Sequence, residues 1–474
     1  MNTSFLPELL LLLGALGTFA STLRTQGAGS TARTVALAAS LAALVACAFT
    51  MDTNTTLFSG AYRVDAFSQW LKLVVLAGFT FVLILGNKLP DIREEVKAEY
   101  HLFLILSVTG QVLLMSSIDV IALVISLELS SFPLYLMVAM RRERGGQKMQ
   151  MESAVKYIMF GIAANGVMLF GLSYLFGLTG TTSLPEMMKA LAPQVGTPIA
   201  ITGLALTFAG LFYKLAIFPF HFWTPDVYQG ASNETAGMIA TLPKLGAVAI
   251  LVRLVSLAGA DNTHIATLLA VLAVCSMVYG NLVALVQQDF KRLLGFSGIA
   301  HAGYALVGFT ALGVAGFTAS LYYITGYVLM VLACFVVISR VSKDGVNISI
   351  AELAGLHRRS PLLAVTLVVA VFALAGIPPF VGFTGKFSIL ASTITAGHLA
   401  LAIVMVINSA IAIYYYLRVV KETVFGEATE QEPIQLDLPT RTLCVVLIAG
   451  IVLLGVAPQK LLGAIGASLA TLGL

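Results

Sequence analysis

The sequence predicts an all-α polytopic membrane protein of about fourteen transmembrane helices, and three observations lead there. Of its 474 residues, 58% are hydrophobic and 11% charged, and mean hydropathy is +0.94. A soluble chain of this length has no interior large enough to hide so much apolar surface. Apolar runs of about 17 to 25 residues, each able to cross a hydrocarbon layer of about 30 Å, recur from end to end. These runs are continuous, unlike the roughly 10-residue alternating strands of outer-membrane barrels, so helices are the expected spanning form.

The first run, "PELLLLLGALGTFASTL", has no basic residue ahead of it and no clear cleavage site behind it. It reads as a retained span, 6–23, not a signal peptide. Spans 34–50 and 67–86 complete an N-terminal group within residues 1–100. Spans 101–118, 120–140, 154–177, 198–220 and 235–257 fill residues 101–260. Spans 264–286, 293–313, 317–339, 361–395 and 398–418 fill residues 261–420, and a fourteenth span, 441–457, lies in residues 421–474.

Basic residues follow the odd-numbered spans. Arg24 and Arg33 follow the first, Lys88, Arg93 and Lys97 the third, and Arg141, Arg142, Arg144 and Lys148 the fifth. Lys291 and Arg292 follow the ninth, Arg340, Lys343, Arg358 and Arg359 the eleventh, and Lys421 and Arg441 the thirteenth. The opposite loops offer little beyond Arg63, Lys189 and Lys460. By the positive-inside rule the odd loops are cytoplasmic and both termini periplasmic. The net charge of +4 therefore sets orientation in the lipid bilayer; it forms no nucleic-acid patch. Cys47, Cys275, Cys334 and Cys444 stand singly in apolar runs, with no CxxC and no histidine at metal spacing, and read as buried packing residues.

Proline punctuates the seventh and the twelfth spans. Pro219 follows Lys214 in the seventh span, and Pro378 and Pro379 precede Lys386 in the twelfth. Proline removes a backbone hydrogen bond and clashes with the preceding turn, so each helix must kink or break. In lipid, a break survives only where protein or a water-filled cavity satisfies the freed groups. The breaks lie five spans apart, each fourth in a block of five: helices 4–8 and 9–13. Two consecutive five-helix units enter the membrane from opposite sides, which is the inverted-repeat plan of many transporters. Two independent kinks are the simpler alternative.

Ionisable groups inside the spans are few. Glu128 lies about nine residues into the fifth span, about 13 Å deep. Lys214 in the seventh span, Lys244 in the eighth and Lys386 beside the break of the twelfth are at comparable depth. His301, in the tenth, reads either as a core histidine or as a further member of the row. A charge at mid-membrane costs from about 2.5 to above 10 kcal/mol. One carboxylate cannot neutralise three lysines, so some must find water or change protonation. Lysine can be tuned to do so, whereas arginine stays protonated. The pattern points to a proton relay; a helix lock of Glu128 with one lysine is the structural alternative. His221 and Trp223 read as interfacial anchors, and Asp226, Glu234 and His398 as loop or cap residues.

The Glu128 segment, "FYKLAIFPFHFWTPDVYQGA", "LPKLGA", "FSGIAHAGY" and "AGIPPFVGFTGKF" together resemble the antiporter-like membrane subunits of the proton-pumping NADH:quinone oxidoreductase, respiratory complex I. That family is shared with multisubunit cation/proton antiporters and membrane-bound hydrogenases. The resemblance covers nearly the whole chain, and "IAHAGY" and the length favour the subunit N branch. It implies that Glu128 and Lys214 are partners, that Lys244 is the central connecting lysine, and that Lys386 serves the exit half. It also implies a bacterial inner-membrane location among other membrane subunits of complex I, sibling antiporter-like subunits included. NAD, FMN, iron–sulfur clusters and quinone are then expected in partner subunits, since the sequence carries no flavin, nucleotide, haem or iron–sulfur signature. A subunit of a sodium/proton antiporter or a membrane hydrogenase is the competing reading, and a structural scaffold with dispensable lysines a third.

Overall fold

The computed structural model describes residues 3–24, 27–144, 148–259, 262–427, 432–470 and 472. Each predicted span coincides with a helix or a pair of helices. Helices α1 (Leu6–Thr22), α2 (Ala28–Phe49) and α3 (Ala66–Leu85) form the N-terminal group. A short antiparallel hairpin, β1 (Thr55–Leu57) and β2 (Tyr62–Val64), lies between α2 and α3 with Thr55 opposite Val64, and had no counterpart in the expected spans. A capping box opens α3: Ser68 N donates to the Asp65 carboxylate, and Asp65 N to Ser68 Oγ.

The next block runs α4 (Lys97–Ser116), α5 (Val120–Ala139), α6 (Met149–Thr179), the short amphipathic α7 (Leu184–Leu191), α8 (Pro198–Leu215), α9 (Thr224–Gly230) and α10 (Asn233–Val255). The last comprises α11 (Thr263–Ala284), α12 (Phe290–Phe309), α13 (Val314–Val341), the single turn α14 (Leu356–Arg359), α15 (Pro361–Ala375), α16 (Val381–Thr395), α17 (Leu399–Phe425), α18 (Leu438–Val456) and α19 (Gln459–Ala470). Among the described residues eleven helices are long and apolar enough to cross a membrane, and α1 and α15 are shorter apolar helices.

The core sits on α10, α12 and α13. Every residue of α10 is buried, and on α12 only Arg292 is not. Close crossings make this layer: a Cβ on Gly280 of α11 would lie 2.6 Å from Ala300 N and 2.7 Å from Phe296 O of α12, a separation only glycine permits. In helices α6, α11, α17 and α18 less than half of the apolar span is buried within the chain.

Both predicted breaks are real. Helix α8 stops at Leu215, Ala216 takes φ +63°, and helix resumes at Thr224; α15 stops at Ala375, Gly376 takes φ +89°, and α16 begins at Val381. The Phe218-Pro219 and Pro378-Pro379 bonds are cis. Protein groups satisfy the freed backbone: Phe218 N donates to Ser276 Oγ at 2.9 Å, and the Trp223 indole N–H to Tyr213 O at 3.1 Å. The seventh span thus continues past its expected end at 220.

The loops sort by side. Asp91, after α3, is fully buried and binds Arg141 Nε at 2.5 Å and Arg144 Nη2 at 2.8 Å. Arg141 also donates to Gln229 O and Gly345 O. Asn87 donates to Asp437, and Asp289 bridges Ser349. These contacts join the loops after the third, fifth, seventh, ninth, eleventh and thirteenth expected spans. Asp119 bridges Ser183, and Arg253 approaches Asp65 at 3.9 Å, joining ends of even spans on the other side.

Several expectations are corrected. Trp223 and His221 are 1% exposed, not interfacial. Trp223 was misplaced because its indole caps a carbonyl freed by the break, an acceptor that exists only in the folded chain. His221 packs against Phe218, Phe222 and Tyr279. Lys291, counted as a loop charge, is fully buried and donates to Ala231 O at 2.8 Å. Glu234 is buried in the first turn of α10, whose cap is Ser232. Asp226 is no passive loop residue: it accepts from Lys156 and Arg292 at 2.7 Å each. Of the cysteines, Cys275 is only half-buried, because it sits on the outward face of α11 with the exposed Val271, Val278 and Leu282.

Candidate functional site: a row of ionisable groups

Glu128 stands on α5 and accepts from Asn165 Nδ2 of α6 at 2.5 Å. It is half-buried and lies at helical spacing with the exposed Ile121, Ile125 and Phe132, so its face of α5 points outward. Lys214, in the last turn of α8, is 7% exposed. Its ammonium donates to Ser130 Oγ at 2.6 Å and to Leu127 O at 3.2 Å, both on α5. Glu128 and Lys214 therefore flank one stretch of α5 without an ion pair between them. The expected partners meet at α5 but are joined by no hydrogen bond or ion pair.

Lys244 lies mid-way along α10, next to Pro243, and is fully buried. Nζ donates to Gly298 O of α12 at 2.9 Å and faces the Tyr327 ring at 5.4 Å from its centroid. Gly298 and His301 are three residues apart and share one face of α12. His301, 1% exposed, places Nδ1 2.5 Å from the Tyr323 hydroxyl and Nε2 2.8 Å from the Tyr416 hydroxyl. Its ring lies 5.2 Å from that of Tyr327 and 5.7 Å from that of Tyr304.

Lys386 follows the second break, on α16, and is 5% exposed. It donates to Leu374 O at 3.2 Å and Ala375 O at 3.0 Å, carbonyls that the end of α15 leaves without helical partners. Its Nζ lies 4.7 Å from the centroid of the Tyr304 ring. Tyr304 in turn accepts from Asn281, which accepts from Tyr415 and donates to Asn408.

The five groups singled out from sequence fall into two sets: Glu128 and Lys214 at α5, and Lys244, His301 and Lys386 around α12. Among the described residues no hydrogen bond or ion pair links Lys214 to Lys244, and no carboxylate lies within 4 Å of any of the three lysines. Carbonyl oxygens and aromatic faces stand in for counter-ions, each ring contact contributing roughly 0.5 to 2 kcal/mol. Such an arrangement holds an ammonium without locking it in a salt bridge, so proton exchange remains open to it.

Sequence reasoning missed the tyrosines. Tyr323 and Tyr327 are spaced i, i+4 on α13, and Tyr304 follows His301 by three residues; that spacing was readable, but which helix they faced was not. It also missed a second buried pair. Glu8 of α1 and Lys72 of α3, both fully buried, meet at 2.6 Å, and the Tyr62 hydroxyl donates to Glu8 at 2.7 Å. Glu8 stands two residues into the first expected span.

Residues 117–412 match the family described as NADH:quinone oxidoreductase/Mrp antiporter, transmembrane region. The chain is 63% identical over 470 residues to a protein of Opitutus terrae named NADH-quinone oxidoreductase subunit N 2, covering 99% of this chain and 98% of that one. It superposes on a chain of respiratory complex I from Thermus thermophilus with a TM-score of 0.85 and 30% identity, over 98% of this chain and 100% of that chain. A chain of the Mrp complex from Dietzia sp. superposes with a TM-score of 0.85 at 20% identity, covering 100% and 98%, a likeness of fold alone.

Proposed function

Because the chain belongs to the NADH:quinone oxidoreductase/Mrp antiporter family of membrane subunits, within its subunit N branch, we propose that it carries protons across the bacterial inner membrane through Glu128, Lys214, Lys244, His301 and Lys386. Quinone reduction in other subunits drives the movement. One charge moved against 100 mV costs about 2.3 kcal/mol, which must arrive from those subunits as a change in charge or packing.

The observation that carries this reading is that three buried lysines are held by carbonyls, a hydroxyl and ring faces without carboxylate partners. A scaffold gains nothing from such groups, whose burial is costly. The matched breaks five spans apart support the division into two inverted units, 101–260 and 261–420. The joining of odd-numbered loops on one side supports cytoplasmic basic loops and periplasmic termini. The outward face of α5, with a half-buried carboxylate among exposed apolar residues, supports a partner membrane subunit covering it.

Glu128→Gln is expected to lower NADH-driven acidification of inverted vesicles several-fold, and Glu143→Gln, on an exposed loop residue, to leave it unchanged. Equal losses would remove Glu128 from the relay. Purification from membranes followed by mass spectrometry of the companion chains tests the assembly: iron–sulfur subunits are expected, and their absence beside cation-antiporter subunits would overturn it.

A further inference from the structure

Two adjoining cavities lie on the side of the chain where Asp119 bridges Ser183, opposite the basic loops, and the buried lysines line neither. The larger, of about 530 Å³, falls within the roughly 300 to 1,000 Å³ of ordinary ligand pockets. Its walls are α7 and the segment after it, the end of α10, and the starts of α11 and α13. Met188, Val195, Leu257, Val314 and Phe317 make it mostly apolar. The smaller, of about 80 Å³, shares Met188, Ser256 and Leu257 with it and is bordered by Arg63 and Arg253. The apolar chamber therefore has a basic end. Arg253 is 8% exposed, lies over the Phe67 ring at 5.2 Å and donates to Met115 O at 3.1 Å. The one carboxylate within 4 Å of it among the described residues, Asp65, stands 3.9 Å away and closer to Arg63, at 3.4 Å. A buried guanidinium so weakly paired is costly, and an anion in the small cavity offsets that cost. The planar fork of arginine suits a phosphate in particular.

We propose that these cavities bind one anionic phospholipid, its phosphate beside Arg253 and Arg63 and part of an acyl chain in the larger chamber. Both cavities sit at span ends, the level of lipid headgroups in a bilayer. A free phosphate leaves the apolar chamber unfilled, and a wholly apolar occupant leaves Arg253 without an anion. A phospholipid answers both, and the surrounding membrane supplies it. The short amphipathic α7, with Leu184 and Met188 on the cavity walls, then serves as the cover of a lipid site. The site also gives a reason for Arg63, one of the few basic residues that the sequence leaves on this side against the prevailing charge bias.

Photolabelling of the whole complex tests this. The complex is reconstituted in phosphatidylcholine vesicles containing a phosphatidylglycerol with a photoreactive diazirine on its acyl chain, and mass spectrometry reads which residues of this chain are labelled. Label at Met188, Leu257 and Phe317 is expected, displaced by unlabelled phosphatidylglycerol. Added phosphatidylcholine, whose choline cation cancels the phosphate charge, is expected to displace it about tenfold less well. Arg253→Met is expected to lower the label about tenfold, the scale of one charged hydrogen bond. Met188→Trp, which fills the chamber and keeps both arginines, is expected to lower it at Leu257 and Phe317 alike. Label at the outward Phe170 and Leu453 is expected to stay and reports equal lipid in every sample. Competition is read on the unaltered complex, so a variant that fails to assemble leaves the test intact. Label at the outward residues with none at the cavity would overturn the site. Displacement by inorganic phosphate as effective as by phosphatidylglycerol would overturn the lipid, and equal displacement by the two lipids would overturn the part given to the arginines. Acidification is not read, so each of these results leaves the proton relay where it stands.

Discussion

Replacing Lys214 with arginine is expected to leave the complex assembled and to slow NADH-driven acidification by about a hundredfold or more, the scale of a lost acid–base group. The amine donates to Ser130 Oγ and Leu127 O, and a guanidinium can also donate to both while keeping the charge. Arginine cannot release its proton within any working cycle, so binding is preserved and exchange is not. Inverted vesicles fed with NADH give the acidification rate, and an artificial electron acceptor gives the amount of assembled complex. A variant that acidifies at the normal rate would place Lys214 among structural residues, and the relay would have to begin at Lys244.

The second large effect concerns stability. Glu8→Leu alone, or Lys72→Met alone, is expected to cost about 3 to 5 kcal/mol, because either strands the other charge in a fully buried site. The double replacement is expected to recover most of that loss, since a buried ion pair exchanged for apolar groups of similar volume is often neutral or stabilising. Tyr62, left without its acceptor, accounts for a residual of about 1 to 3 kcal/mol. Adding Tyr62→Phe removes it. The thermal midpoint of the solubilised complex measures each step. A double variant as unstable as either single one would mean that the pair does more than cancel its own charges, and that the N-terminal helices take part in transport.

Much of the site was legible because membranes punish charge. Glu128, Lys214, Lys244 and Lys386 stand out of apolar runs as costs that need a reason, and the two proline breaks mark where backbone must be satisfied by something other than lipid. Lys291 was placed wrongly because proximity to a span end reads as exposure, yet segments at span ends that pack against one another bury their own residues. Glu8 escaped notice because its partner Lys72 lies on a different helix 64 positions away. The tyrosines escaped because an aromatic residue within an apolar span carries no cost that flags it.

Hydrophobic length, basic loops and broken helices, all properties of consecutive residues, determined by themselves that this is a polytopic helical membrane protein with alternating loops and a few ionisable groups within its apolar spans. Only the tertiary structure decided which groups meet: that Lys214 rests on α5 beside but not against Glu128, that His301 lies between two tyrosines, and that Lys386 closes the end of α15. A helix fixes the spacing along its own axis, but its rotation and its neighbours are set by packing among helices far apart in the chain, and no local rule encodes that.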